Sequence, residues 1–357
     1  MRVGHRADNP IPEKSIVTET EARVRNIGGD EDEAYQDIEE MTDAGQTQLG
    51  ADFPTVDSLK PKQKTRVVGW NVRTLYQTGK LAQVVREFDT YCLDILGISE
   101  TRWIGAGKRK LASGHTILYS GREDGHHTEG VALLMNQKIE KTLIEWKSAG
   151  SRLLKARFNS RYIKLTVIVG YAPIEDSEGD NKTEFYEQLQ ALKEDVPNHD
   201  MLLIIGDLNA RVGEDNTGRE HVMGKHGVGM MNDNGERLTD FCEENDMIVG
   251  GSLFQHKTIH KTTWTSPSGA TQNQIDHILI NGKWKSSLRD VRAYRGADIG
   301  SDHNLVVAVV KLKLRKARRK QLRAQQINSN KLKDETTRHA FRQELRNRFQ
   351  ILGEEHE

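Results

Sequence analysis

Cysteine is nearly absent from this chain: 357 residues hold only Cys92 and Cys242, each inside an otherwise apolar segment. With no C-x-x-C pair, neither a structural zinc site nor a disulfide framework is expected, and both thiols should be buried and free. Long hydrophobic runs are missing too. The longest, such as Met201 to Ile205, are strand-sized and far short of a membrane span. The first residues, Met1-Arg-Val-Gly-His5, lead into polar sequence without an apolar stretch, so no signal peptide is expected. Net charge is also lacking, with Lys+Arg 52 against Asp+Glu 52. A zero total does not argue against nucleic acid, because local stripes set the attraction to phosphate. Asp30 to Glu40 is an acidic run and Lys311 to Lys320 a strongly basic one. These absences together predict a soluble intracellular protein whose acidic run is a solvated tail.

Residues 1–63 have no hydrophobic periodicity and are expected to form a disordered acidic segment. Order is expected from 64 to 314, where strand and helix patterns interleave. Arg66 to Trp70 and Asp94 to Ile98 read as strands, as do 116–120, 129–135, 162–169, 201–206, 274–280 and 304–312. Helical spacing marks Leu81, Val84, Val85 and Phe88, then Phe185, Leu189 and Leu192, then Leu238, Phe241 and Cys242. Strands outnumber helices, which predicts an α/β layered domain; periodicity leaves one sheet or two equally open. Residues 315–357 are expected to be a charged, helix-prone tail or linker.

Polar clusters recur where apolar strands end. Asn71 closes the first strand and Glu100 the second, and Tyr171-Ala-Pro173 follows Leu165 to Gly170. Gly206-Asp-Leu-Asn209 follows Met201 to Ile205, and Ser301-Asp-His-Asn304 precedes Leu305 to Val310. Singly, each is ordinary turn or cap chemistry. Asp276 is different: a carboxylate flanked by Ile275 and Ile278 is costly to bury unpaired, and Asp302-His303 can supply its partner. Together the groups suit phosphodiester hydrolysis. Glu100 and Asp302 offer hard oxygens for Mg²⁺ or Mn²⁺, Asp207 with Asn209 can orient a water, and an Asp-held His303 can donate to the phosphate. Zinc fits poorly, since His256 and His260 lack the Glu of a zinc-protease helix. His126-His127, in a Gly-rich loop, is expected to face solvent.

In this order the clusters resemble the endonuclease/exonuclease/phosphatase superfamily, over roughly Lys64 to Leu314. Within it the chain is similar to the endonuclease domains of non-LTR (LINE-type) retrotransposons. Gly69-Trp-Asn-Val-Arg-Thr-Leu75, Asn232-Asp-Asn-Gly-Glu-Arg-Leu238 and Gln274-Ile-Asp-His-Ile278 carry that likeness. The resemblance implies a DNase I-like four-layer α/β sandwich, two mixed sheets face to face with helices outside. It assigns Glu100, Asp302 and Asn71 to the metal, Asp207 and Asn209 to the water, Asp276 to orienting His303, and Tyr171 to the phosphate. Thr263 falls where LINE endonucleases have a threonine near DNA. Arg102 and the basic stretch Lys108-Arg109, read as a Gly-flanked loop, are further substrate-binding candidates.

The chain departs from many relatives at Ile174, where they carry Asn, which removes one polar contact. It also leaves no room for a reverse transcriptase, which predicts a truncated element copy or a free-standing derivative. The expected activity is an Mg²⁺-dependent nick in DNA by a nuclear or otherwise cytoplasmic, monomeric protein that is neither secreted nor membrane-bound. A phosphatase or RNA phosphodiesterase with the same centre, and a non-catalytic chromatin- or protein-binding module, are the alternatives.

Overall fold

The computed structural model describes residues 63–313 and 329–353. The acidic run, and the basic run beyond Lys313, therefore lie outside the described residues. Fifteen strands and five α-helices are described. Seven strands form one mixed sheet: β1 (Thr65–Asn71), β2 (Ile95–Ser99), β3 (Ala106–Lys110), β4 (Thr116–Ser120), β5 (Val131–Met135), β14 (Leu288–Tyr294) and β15 (Leu305–Val310), in the order β14-β15-β1-β2-β5-β4-β3. Only β1 and β2 run parallel in it. Six form the other, also mixed: β6 (Leu143–Ala149), β7 (Leu153–Phe158), β8 (Leu165–Tyr171), β9 (Met201–Asp207), β10 (Met247–Val249) and β13 (Asp276–Asn281), ordered β10-β13-β9-β8-β7-β6. A short pair, β11 (Trp264–Thr265) and β12 (Gln272–Asn273), stands apart.

Side-chain alternation makes these sheets into layers. Odd positions Val67 and Ile95 face odd positions Val167, Val169, Leu203 and Ile205 across the gap between the sheets. Even positions Val68, Trp70, Leu96 and Ile98 turn outward, where Val84, Val85 and Phe88 of helix α1 (Lys80–Thr90) cover them. After a short α2 (Gln137–Glu140), α3 (Gly179–Glu194) and α4 (Asp233–Glu244) cover the far face of the second sheet with Phe185, Leu189, Leu238 and Phe241. Each such side chain contributes roughly 1.5–3 kcal/mol by leaving water. The fold is a four-layer α/β sandwich. A fifth helix, α5 (Glu335–Gly353), follows the undescribed gap.

Several strands lie beyond those the sequence pattern suggests, because they carry charges. In β7, Lys155 and Arg157 enter the sheet by pairing with Asp195 and Asp200. In β14, Arg289 and Asp290 alternate with buried Leu288 and Val291. The expected loop at Lys108-Arg109 is strand β3: these residues complete the edge of the first sheet, and Lys108 pairs with Glu140 at 3.0 Å. Cys92 is exposed rather than buried, since it turns the chain out of α1 at φ 50° so that Leu93 can re-enter the core.

At one end the sheets pinch together through glycine. A Cβ on Gly97 would meet Ile205 Cδ1 at 2.6 Å and Val169 Cγ2 at 3.1 Å, and one on Gly69 would stand 3.3 Å from the Gly206 nitrogen. Gly97→Ala should therefore cost about 1–3 kcal/mol by overpacking, read as a lower urea midpoint at unchanged slope. An unchanged midpoint would mean that the sheets do not meet this closely.

Candidate active site

The inward columns of both sheets run out at this pinched end, and there their side chains turn polar. Asn71 pairs in register with Ser99, while Tyr171 pairs with Asp207 and Asp207 with Asp276. Strand alternation puts all five on the inner faces, one row in each sheet. Asn71, Asp207 and Asp276 are at most 2 % exposed. Asp276 heads its strand instead of sitting inside it, so its carboxylate lies at the mouth.

Asn71 ties the two rows together. Its amide nitrogen donates to Glu100 Oε1 and to Asp207 Oδ2, both at 2.9 Å, and its oxygen accepts the Arg73 backbone amide. With both ends of its amide engaged, Asn71 bridges the metal-side and water-side carboxylates expected from sequence. Ser301 Oγ donates to the Asn71 carbonyl and accepts from the His303 amide, which sets the last loop against the first strand. Trp70 Nε1 donates to the His303 carbonyl from below.

Asp207 and Asp276 are like charges on adjacent strands, and His303 settles between them. Its Nδ1 lies 3.0 Å from Asp276 Oδ2 and its Nε2 3.8 Å from Asp207 Oδ2. A carboxylate only accepts, so Nδ1 carries a proton and Nε2 faces Asp207. Thr263 is buried, and its hydroxyl accepts the amides of Ile275 and Asp276, fixing the start of β13. Burial alone would lower the His303 pKa, but the Asp276 and Asp207 charges prevail and hold it at about 9. Burial, then the Asp276 charge, raises Asp207 to about 7 against the help of His303 and Asn71. Burial and the neighbouring Glu100 and Asp207 charges keep Tyr171 a phenol, with the Arg152 guanidinium 5.0 Å from its ring centre.

Arginines guard the remaining acids. Arg102 Nη2 is 3.1 Å from Glu100 Oε2, and Arg73 Nε 3.8 Å from Asp302 Oδ1. Trp264 Nε1 donates to the other Asp302 oxygen. Four of the six described non-glycine residues at positive φ are Arg73, Glu100, Arg102 and Asn209. Such strain collects where surrounding contacts over-determine the backbone. At Asn209 those contacts are visible: Asn232 and Asn234 amides donate to its carbonyl, and its own amide to Ala172 O. Glu175 in turn accepts Asn232 Nδ2 and the Asp233 amide, so the Asn232-Asp-Asn-Gly235 motif is the brace of the Asp207–Asn209 turn.

Every candidate named from sequence except Lys108 and Arg109 belongs to this end of the sandwich or braces it. β3 lies four strands from β1, about 19 Å away at ordinary strand spacing. Ser99, Ser301, Arg73 and Trp70 went without assigned roles, although all stand beside named residues. His127 is half-buried, not solvent-facing: it contacts the Arg102 carbonyl at 2.7 Å and packs on Tyr76. Ligand atoms of Asp207, Asp276 and His303 fall within 4.8 Å of one another, an acidic group able to hold a metal. The Asp276–His303 bond already uses two of those residues, whereas Asp302 Oδ1 is buried without a hydrogen-bond partner.

The Endonuclease/Exonuclease/phosphatase family model matches residues 68–303. Craniofacial development protein 2 of Tragulus javanicus is 38% identical over 269 residues, 73% of this chain and 46% of that protein. Its Bos taurus counterpart is 39% identical over 254 residues, 71% of this chain and 42% of that one. The chain thus spans less than half the length of the curated relatives it matches. Among solved structures, the endonuclease domain of TRAS1, a telomere-specific non-LTR retrotransposon, aligns with TM-score 0.50 at 16% identity, covering 71% of this chain and 100% of that domain. The 3' phosphatase NExo from Neisseria bound to product DNA hairpin, and an AP endonuclease from Archaeoglobus fulgidus, each align at 0.52 and 18%, covering 70% of this chain and 100% of theirs. These likenesses make the two mixed sheets and flanking helices a DNase I-like fold.

The pH dependence of stability tests the crowding of charge. The folded pKa of Asp207 stands above its ordinary 3.8, so its contribution favours the fold at low pH and is lost as pH rises through about 7. His303 acts in the same direction, its contribution complete below 6.5 and lost through about 9. In EDTA, Asp207→Asn should melt near the parent only below about pH 4 and increasingly above it as pH rises to about 7, by about 2–4 °C per kcal/mol gained. A gap that does not change with pH would contradict the buried like-charge pair.

Proposed function

The chain belongs to the endonuclease/exonuclease/phosphatase family, and from that membership we propose that it is a divalent-metal-dependent phosphodiesterase that nicks DNA. The observation that carries the reading is the single hydrogen-bonded array Glu100–Asn71–Asp207, closed by Asp276-held His303. A scaffold alone has no use for so much buried charge. The DNA substrate is supported by neighbours of the same fold, one an endonuclease domain and one bound to a DNA hairpin. The likeness to a retrotransposon endonuclease domain supports an origin in such an element, and a DNA substrate supports a nuclear location.

Glu100 and Asp302, flanking the Asn71–Arg73 segment, would hold the cation. Both offer hard oxygens, and Asp302 Oδ1, buried without a hydrogen bond and only loosely paired with Arg73, is the kind of atom that Mg²⁺ or Mn²⁺ satisfies. Such an ion supplies charge neutralisation at the phosphate. The chain's own groups do the rest. Asp207, with Oδ1 fixed by the Asn209 amide and a pKa near neutral, takes the proton of the attacking water. His303, oriented by Asp276 and kept protonated, donates from Nε2 to a phosphoryl oxygen, and the Tyr171 phenol does likewise. Arg73 and Arg102 exchange carboxylate for phosphate as the strand enters.

Supercoiled plasmid incubated with the protein and Mg²⁺ should become nicked circles. Asp207→Ala and His303→Ala should each slow this about 10²–10⁴-fold. Parent protein that does not nick, or variants that nick equally well, would defeat the proposal. Phosphate release from a 3'-phosphorylated oligonucleotide or an inositol phosphate, with the plasmid untouched, would favour a phosphatase. Glu100→Gln should raise the Mg²⁺ concentration needed for half-maximal nicking about tenfold or more; an unmoved requirement would place the cation elsewhere.

A further inference from the structure

The Gln274-Ile-Asp-His-Ile278 segment holds a second histidine-bearing contact besides the one Asp276 makes. His277 follows Asp276 on β13 and is 2 % exposed. Strand alternation turns it away from Asp276, to the outer face of the second sheet, where Leu279 packs with Ala210. There its Nε2 lies 2.6 Å from the Ala210 carbonyl. A carbonyl only accepts, so Nε2 carries the proton. Burial lowers the pKa of the ring and keeps it neutral. Nδ1 is then a bare acceptor, buried without a hydrogen-bond partner among the described residues.

A leucine on this apolar face would strand no nitrogen, and a stranded buried acceptor costs stability. What the histidine adds is the bond it donates, and that bond lands on the water-side turn. Ala210 directly follows Asn209, which stands at φ 48° and gives its amide to Asp207 Oδ1 at 3.0 Å. Asn232 and Asn234 hold the Asn209 carbonyl, and His277 holds the next one along the chain. The turn is also tied to β13 by the Leu208 amide, which donates to the Ile275 carbonyl at 3.1 Å.

We propose that His277 is a positioning residue for the attacking side of the site. Its Nε2–H fixes the Ala210 carbonyl, and with it the strained backbone at Asn209 and the amide that orients Asp207. Three consecutive residues then register both halves of the chemistry on one strand. Ile275 and His277 set the Asp207–Asn209 turn, and Asp276 between them sets His303. The effect on turnover rests on the phosphodiesterase reading; the hydrogen bond does not.

His277→Leu removes the donor and the stranded Nδ1 together. It should lower kcat for plasmid nicking about tenfold to a hundredfold at nearly constant KM, the scale of a small misplacement of a reacting group. Its melting temperature should stay close to the parent's. His277→Gln, whose side-chain amide can donate from nearly the place of Nε2, should recover most of the loss. Full kcat in His277→Leu, or no recovery in His277→Gln, would remove the positioning role. Where His277→Leu does not fold, His277→Phe supplies the same comparison. In the parent, the Nε2–H should give an NMR resonance of a ring proton that exchanges slowly with water and is lost in His277→Gln. Its absence would overturn the bond itself. A parent that never nicks would refute the proposed activity, and this resonance would still judge the bond.

Discussion

The two sheets come close at the end that carries Asn71 and Asp207, and glycine makes that possible. Packed sheets ordinarily stand about 10 Å apart, filled by side chains from both faces. Over Gly97 only the facing Ile205 and Val169 side chains fill the gap, and at Gly69 the backbones of β1 and β9 approach. The next inward residues along those strands are Asn71 and Asp207, which can therefore share a hydrogen bond across the gap. Without the close approach there would be two separate rows of polar groups. With it, Glu100, Asn71 and Asp207 become one array, and the loop carrying His303 can seat on Asn71 through Ser301.

Gathering these groups sets stability against reactivity. Cross-strand pairing places Asp207 beside Asp276, an arrangement that repels on any sheet and more so when buried. The fold tolerates it because His303 lies between the two carboxylates and the Asn71 amide shares one of them. What remains uncompensated appears as the raised Asp207 pKa, while the raised His303 pKa records its attraction to the two carboxylates. Those are the protonation properties that a base and a phosphate donor working near neutral pH require. The cost falls on the fold, and the large core between and outside the sheets can carry it.

Precision in the water-side turn comes from outside the site. Asn209 is held at positive φ by a brace that starts at Glu175, passes through Asn232 and Asn234, and uses the N-terminus of α4 as its anchor. Glu175 directly follows Ile174, the residue that departs from many relatives. Ile174 is 53% exposed and adds nothing polar, yet the loop it sits in retains a positioning duty through its neighbour. An apolar side chain at 174 therefore bears on the surface offered to substrate more than on the geometry of Asp207 and Asn209.

Legibility in the sequence followed burial. The central strands β1, β2, β8, β9 and β15 carry continuous apolar runs, so their ends, and the polar residues there, could be found by pattern. Peripheral strands such as β7 and β14 alternate charge with core residues and lose that signature. Period-two alternation also explains why Asn71, Ser99, Tyr171, Asp207 and Asp276 share inner faces, although which face is inner, and that there are two sheets, depends on pairing no local pattern encodes. Residues that position others were the least visible. Ser301 and Trp70 act through backbone groups, and nothing in their types or spacing separates them from ordinary serine and tryptophan. Asp276 was legible for the opposite reason: a carboxylate between isoleucines demands a partner, and the demand itself pointed to His303.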